Sequence, residues 1–306
     1  MSASPNLRAA LFMSVAMAAF TSNDAITKSL TDEMNAGQIM FVRGVFATLF
    51  VGLLAWQRGA MRAPARSFHP MVMVRSLCEL GGTTFFLLAL AKMPIANVSA
   101  VLQSLPLAVT MGAALALREP VGWRRWLAIV IGFAGVLVIV RPGSEGFSAY
   151  SLSALLCVAF CAVRDLATRR IPEDIPSLLV STVTAGFVAI FGGAMVAPLG
   201  GWTPLSADST LLLAGAAVLL IPGMQFLILA MRTGDISFVA PFRYTALLWA
   251  IVLGLVIFGE MPDGFMLAGA VVVIASGLYS LYRETVLGRR KPIAESISAG
   301  MAPDGT

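Results

Sequence analysis

LALAKMPIANVSAVLQSLPLAVTMGAALALREP (residues 88–120) runs on into WRRWLAIVIGFAGV (123–136), and the chain then writes the same layout again. From Leu227 it reads LILAMRTGDISFVAPFRYTALLWAIVLGLVIFGEMP, followed by FMLAGAVVVIASGL. Few letters match, but the order of parts does. An apolar segment ending in Ala is followed by a short break and a long apolar segment closed by Glu. Then come a turn with Pro and Gly and a Gly-spaced apolar segment. Glu119 and Glu260 take the same place in each copy, and Gly135 aligns with Gly277. A repeat this long sets the architecture before any single residue is read.

Composition then gives the class. Of 306 residues, 58% are hydrophobic and 12% are charged, against about 25% charged in a soluble domain. Crossing a bilayer as a helix takes roughly 20 apolar residues. Ten segments meet that length: Leu7–Leu30, Gln38–Trp56, Met71–Ala91, Ile95–Leu117, Trp123–Val140, Ser151–Thr168, Ser177–Ala197, Thr210–Met231, Phe238–Phe258 and Phe265–Tyr282. Pro- and Gly-bearing breaks separate many of them. Arg8 before an apolar run also resembles the start of a signal peptide. That run continues to Leu30, however, and the repeat needs a membrane helix there.

Lys and Arg in the short loops set orientation. With the N-terminus inside, the inner side collects Arg8, then Arg58, Arg62, Arg66 and Arg75, then Arg118, Arg124 and Arg125, then Arg164, Arg169 and Arg170, then Arg232, and finally Arg283, Arg289, Arg290 and Lys291, whereas Lys28, Lys92 and Arg141 fall outside. The expected protein is therefore all-α, with ten transmembrane helices and both ends cytoplasmic. The net charge of +5 reports this orientation, and nucleic acid is not an expected partner. Five crossings per copy invert the second copy relative to the first. The division is residues 1–146, residues 147–288, and a disordered polar tail at 289–306. Inverted repeats recur in secondary transporters, where the site lies between the halves near the midplane.

The residues also resemble a family. The two layouts above, with AFTSNDAITKSL (19–30), FVRG (41–44), VAPFRYT (239–245) and FGE (258–260), resemble the ten-helix EamA-type drug/metabolite transporters. The resemblance implies transport of a small organic metabolite across the cytoplasmic membrane. AFTSNDAITK and VAPFRYT look most like the bacterial riboflavin-transporter group, and also like relatives linked to S-adenosylmethionine uptake. A flat polar aromatic compound such as riboflavin is the substrate expected here. S-adenosylmethionine, an amino acid or a drug is the alternative within the fold.

A charge within hydrocarbon costs about 2.5–3.5 kcal/mol on insertion scales, so intramembrane charges mark the candidate pathway. Asp24 and Arg43 fall at matched depth on consecutive antiparallel helices, as an ion pair would, with Asn23 extending the polar run. Whether that pair is structural or contacts substrate stays open. Glu79 is read either as a local partner of Arg75, one turn before it, or as a proton-coupling carboxylate. Gln103, Gln225, Phe242, Arg243 and Tyr244 complete the set. Phe85, Phe86, Phe226 and Trp249 are further aromatic candidates. Pro106, Pro222 and Pro241 are the expected kinks, since proline frees a backbone carbonyl. Gly132, Gly135, Gly269 and Gly277 are read as close-packing positions, and Arg164 and Asp165 as interfacial.

Nothing suggests an enzyme. The one histidine, His69, sits in an arginine-rich loop, and no HExxH, CxxC or P-loop pattern occurs. Cys78, Cys157 and Cys161 lie in apolar segments, where packing is expected. No cofactor and no metal are expected. The partners are a small-molecule substrate and the lipid bilayer, with a homodimer left open; a membrane-embedded enzyme or channel is the reading from another class.

Overall fold

A computed structural model describes residues 5–61, 68–119, 121–142, 149–172, 174–233 and 236–285. The division near residue 146, Arg62, Arg66 and the tail 289–306 lie outside the described residues. Among the described residues there is no strand. Among the described residues, twelve α-helices and one 3-10 segment give ten membrane-length spans, with the four-residue α10 outside them. They are α1 (Pro5–Ser29), α2 (Ala36–Gln57), α3 (Pro70–Lys92), α4 (Ile95–Leu102), α5 (Leu105–Ala116), α6 (Trp123–Val140), α7 (Ala149–Thr168), α8 (Ser177–Val196), α9 (Ala207–Thr233), α10 (Ile236–Val239), α11 (Thr245–Phe258) and α12 (Gly264–Thr285).

Two spans are broken. The fourth is α4 and α5, parted at Gln103–Ser104 with Pro106 in the first turn of α5. The ninth runs through a 3-10 segment, Ala240–Tyr244, with Pro241 in its first turn, into α11. Pro106 and Pro241 therefore sit where a missing amide leaves the chain free to turn. Pro222 lies inside α9, which continues past it from Ala207 to Thr233.

Local chemistry ends the helices. Asn35 caps α2 by accepting the Gln38 amide at 2.9 Å, and Asp263 caps α12 by accepting the Met266 amide at 2.7 Å. Partial burial pushes the Asp263 carboxyl up, but the Met266 amide and the Arg141 guanidinium outweigh it and hold the group below the usual range. The ends of α5 and α11 are built alike. Arg118 (φ 53°) and Gly259 (φ 65°) are left-handed. The amides of Glu119 and Glu260 then reach back to the Ala113 and Gly254 carbonyls, at 3.2 and 2.9 Å. This reverse turn caps the orphan carbonyls and aims both repeated glutamates the same way.

The main helix contacts are α1 with α9, α2 with α8, α3 with α7, and α6 with α12. Counted as spans, these pairs exchange among themselves when every number is advanced by five. Small residues let the backbones approach, as in membrane bundles generally. A Cβ on Gly192 would sit 2.5 Å from the Phe41 amide of α2. One on Gly269 would sit 2.6 Å from the Gly135 carbonyl of α6. Leu49, Ile190, Leu211 and Val256 project outward, as a lipid-facing surface requires.

Candidate functional site

A cavity of about 200 Å³ lies among α1, the end of α3, the broken fourth span, the 3-10 segment and α12. Asp24 and Thr21 come from α1, Gln103 and Pro106 from the break between α4 and α5, and Arg243 and Tyr244 from the 3-10 segment. Both broken spans thus add polar side chains to those that the unbroken α1 brings to the cavity. Phe20, Phe86 and Tyr244 supply aromatic faces, and Ser99, Thr110 and Ser280 supply hydroxyls.

Helical phase sets who enters. Thr21 and Asp24 share one face of α1. Thr21 bonds the Met17 carbonyl at 2.8 Å and Thr27 bonds that of Asn23 at 2.8 Å, so these hydroxyls are satisfied within the helix. Asn23 is buried and donates to the Asp24 carboxylate at 3.0 Å; it supports Asp24 and does not line the cavity. Gly277, read from the sequence as a packing glycine, lines the cavity, and any Cβ there would collide with the Tyr244 hydroxyl.

The remaining candidates lie elsewhere. Arg43 makes no ion pair within 4.0 Å of Asp24 among the described residues; it stands in the fields of Asp24 and Glu79. Matched depth does not make neighbours: α1 packs mainly on α9 and α2 on α8. Glu79 does not pair with Arg75. It meets Arg164 of α7 at 3.1 Å, while Arg75 donates to Thr168 at 3.1 Å and Thr184 at 2.7 Å. Arg164 also holds Asp165 at 2.8 Å. Asp165 has only 2% of its side chain exposed, so its carboxylate is enclosed by protein. The α3–α7 seam encloses these charges, which removes any need for Arg75 to reach water.

Gln225 is exposed, because α9 turns Phe226, Leu227 and Ala230 toward α1 instead. Phe242 packs on Phe238 at 5.7 Å, Phe226 on Phe12 at 5.8 Å, and Phe85 on Phe160 at 5.5 Å. Trp249 donates to the Ser14 carbonyl at 3.2 Å. Of the aromatic candidates, Phe86 and Tyr244 reach the cavity. Pro222 and Pro241 do not border it.

Lys28 and Glu260 form a pair that neither helix reveals by its own spacing. The Lys28 ammonium meets Glu260 at 2.7 Å, and Arg169 meets Glu119 at 2.9 Å. A signal was present: DAITK (24–28) on α1 and DLATR (165–169) on α7 repeat the order Asp-x-x-Thr-basic.

The described residues hold no cluster suited to a metal ion. The EamA-like transporter family model matches residues 7–141. The S-adenosylmethionine uptake transporter of Rickettsia conorii is 29% identical over 89% of this chain and 91% of its own. The riboflavin transporter of Vibrio cholerae is 30% identical over 76% of this chain and 78% of its own. The pseudopaline exporter of Pseudomonas aeruginosa is 27% identical over 84% and 90%. A solved crystal structure superposes with a TM-score of 0.63 over 92% of this chain and 99% of the other, at 20% identity, which shows the shared fold.

Proposed function

Since the chain belongs to the EamA-like transporter family, and is a multi-pass inner-membrane transporter of small molecules, we propose that its cavity carries a ring-bearing metabolite with charges of both signs. One observation carries this reading: Asp24 and Arg243 line the same cavity as the rings of Phe20, Phe86 and Tyr244. Aromatic faces bury a ring system while a few placed polar groups fix its orientation. A carboxylate takes the cationic part of the ligand and a guanidinium its carboxylate. S-adenosylmethionine, with a ring, a sulfonium, an ammonium and a carboxylate, uses every one of these groups. A cation is accommodated in the same cavity as Arg243 because Asp24 also lines it, without an ion pair to Arg43. Riboflavin is the second reading; the aromatic faces and Gln103 suit its flat, polar-edged ring.

The mechanism we infer is alternating access between two inverted five-helix halves. The exchange of helix pairs on advancing by five spans supports that symmetry. The loop charges support both ends being inside. An impermeant thiol reagent added outside should therefore reach a cysteine at Asp208 and miss one at Arg58; the reverse pattern removes this orientation. For substrate, reconstituted liposomes are loaded with one compound and labelled compound is added outside. Counterflow of S-adenosylmethionine is expected. Riboflavin counterflow alone would transfer the assignment to the second reading, and failure of both would remove both compounds.

A further inference from the structure

Glu119 and Glu260 close the repeated segment but do not line the cavity, so the transport reading leaves them without a role. Each is bound to a base from the opposite half. Glu260 follows α11 and holds Lys28 at the end of α1; Glu119 follows α5 and holds Arg169 after α7. Lys28 and Arg169 are separated by the same number of positions as Glu119 and Glu260. The two pairs are thus repeat counterparts. Following the spans back and forth, they fall at opposite ends of the bundle.

They differ in what they close. Glu260 uses both carboxylate oxygens: one on Lys28 at 2.7 Å, the other on the Ile95 amide at 2.9 Å. Lys28 also donates to the Met93 carbonyl at 2.5 Å and lies 5.2 Å over the Phe258 ring. One cluster therefore ties the end of α1, the α3–α4 junction and the end of α11. Ile95 and Leu90, directly beneath it, line the cavity, as does Asp24 one turn before Lys28. Lys28 and Glu260 keep only 11% and 21% of their side chains exposed, so the pair is largely enclosed at that end. At the other end the lining reaches Met231, Ser280 and Leu281, and neither Glu119 nor Arg169 borders it.

We propose that Lys28 and Glu260 form the gate that shuts the cavity at the α1–α4–α11 end, and that this gate must part for the site to face that side of the membrane. Lys28 and Glu260 are positioning residues: they hold three elements together and need not touch substrate. The proposal rests on the transport reading, but its test requires no substrate. A closed gate sets the balance between two states, and removing contacts made in one state alone shifts that balance.

The test places a single cysteine at Ser99, on the cavity wall, with Cys78, Cys157 and Cys161 replaced by serine. An impermeant maleimide is applied separately to right-side-out and inside-out vesicles. From the Lys28 side, Glu260→Gln and Lys28→Met should each speed labelling by about tenfold, equivalent to roughly 1.4 kcal/mol. Glu260→Gln keeps an oxygen for the Ile95 amide, and Lys28→Met keeps the apolar stem, so at least one variant retains the fold. The exchanged pair Lys28→Glu with Glu260→Lys should return the rate toward the original, and Glu119→Gln should leave it unchanged on this side. Unchanged labelling in both single variants would overturn the gate, as would an equal rise in Glu119→Gln. Because labelling is read without substrate, a wrong substrate assignment leaves this result intact.

Discussion

Residues 24–28 of α1 and 165–169 of α7 both run Asp-x-x-Thr-basic, yet Asp24 opens onto the cavity while Asp165 is sealed in the α3–α7 seam. Each threonine bonds the carbonyl four residues back, at 2.8 Å in both cases, and each terminal base meets the glutamate of the other half. The difference lies one residue before each aspartate. Asn23 donates an amide to Asp24 and leaves its charge uncompensated at contact range. Arg164 meets both Asp165 and Glu79 at ion-pair distance. A buried carboxylate beside a neutral amide is available to a ligand's cation, whereas one locked to a guanidinium serves packing. The same motif thus places one aspartate on the cavity wall and the other in a buried ion pair.

That contrast is most easily broken at Arg164. Arg164→Leu leaves Glu79 and Asp165 buried without their partner, and loss of one member of a buried pair costs about 3–5 kcal/mol. The expected result is a large fall in the thermal midpoint in detergent, or loss of folded protein. A midpoint like that of the original would mean the α7 charges are not structural. Asp24→Asn should do the opposite, holding the midpoint within a few degrees while counterflow of a cationic substrate falls by about tenfold or more, the scale of one charge-assisted contact at roughly 1.5–3 kcal/mol. If Asp24→Asn unfolds the protein and transport survives in the fraction that folds, the two aspartates have been assigned the wrong way round.

Smaller effects sharpen the cavity side. Tyr244→Ala should weaken transport more than Phe86→Ala, because Tyr244 adds a hydroxyl to its ring and stands beside Arg243. Gly277→Ala should approach the Tyr244→Ala effect, since the added methyl displaces that hydroxyl. Apparent affinities from counterflow check the order, and a Phe86→Ala variant weaker than Tyr244→Ala would reverse it. The smallest change is expected at Asp263, outside both stretches. Asp263→Asn should cost within about 1 kcal/mol, as asparagine still caps a helix and the exposed Arg141 contact contributes little. Because the folded carboxyl is held below its usual value, its contribution is present above the unfolded value and fades as pH falls through the folded one. The stability difference between the original and Asp263→Asn should narrow in acid.

Ten membrane helices, their approximate ends and the family were legible from residues alone. Hydrocarbon admits long apolar helices with satisfied backbones and little else, so composition and length suffice. The two glutamates were legible as repeat partners for the same reason: each terminates an apolar run. Part of the site was legible too. Asp24, Gln103, Arg243 and Tyr244 are polar groups that lipid would reject, and all four line the cavity. Gln225, equally polar, faces outward, because hydropathy reports that a residue is costly in lipid without reporting which way its helix is turned.

Tertiary structure alone decided the partners. Arg75 and Glu79 are one turn apart, and Asp24 and Arg43 lie level, yet Glu79 took Arg164 and Arg43 stayed out of contact with Asp24. Spacing along one helix fixes a face, and depth fixes a level. The choice among charges at that level depends on which helices become neighbours, α3 with α7, α1 with α9 and α2 with α8, and contacts among small and apolar side chains far along the chain set those pairings. The same packing gave the paired motif two surroundings: α1 borders the cavity formed by the broken spans, and α7 is pressed along α3, where the buried carboxylate has its counterion.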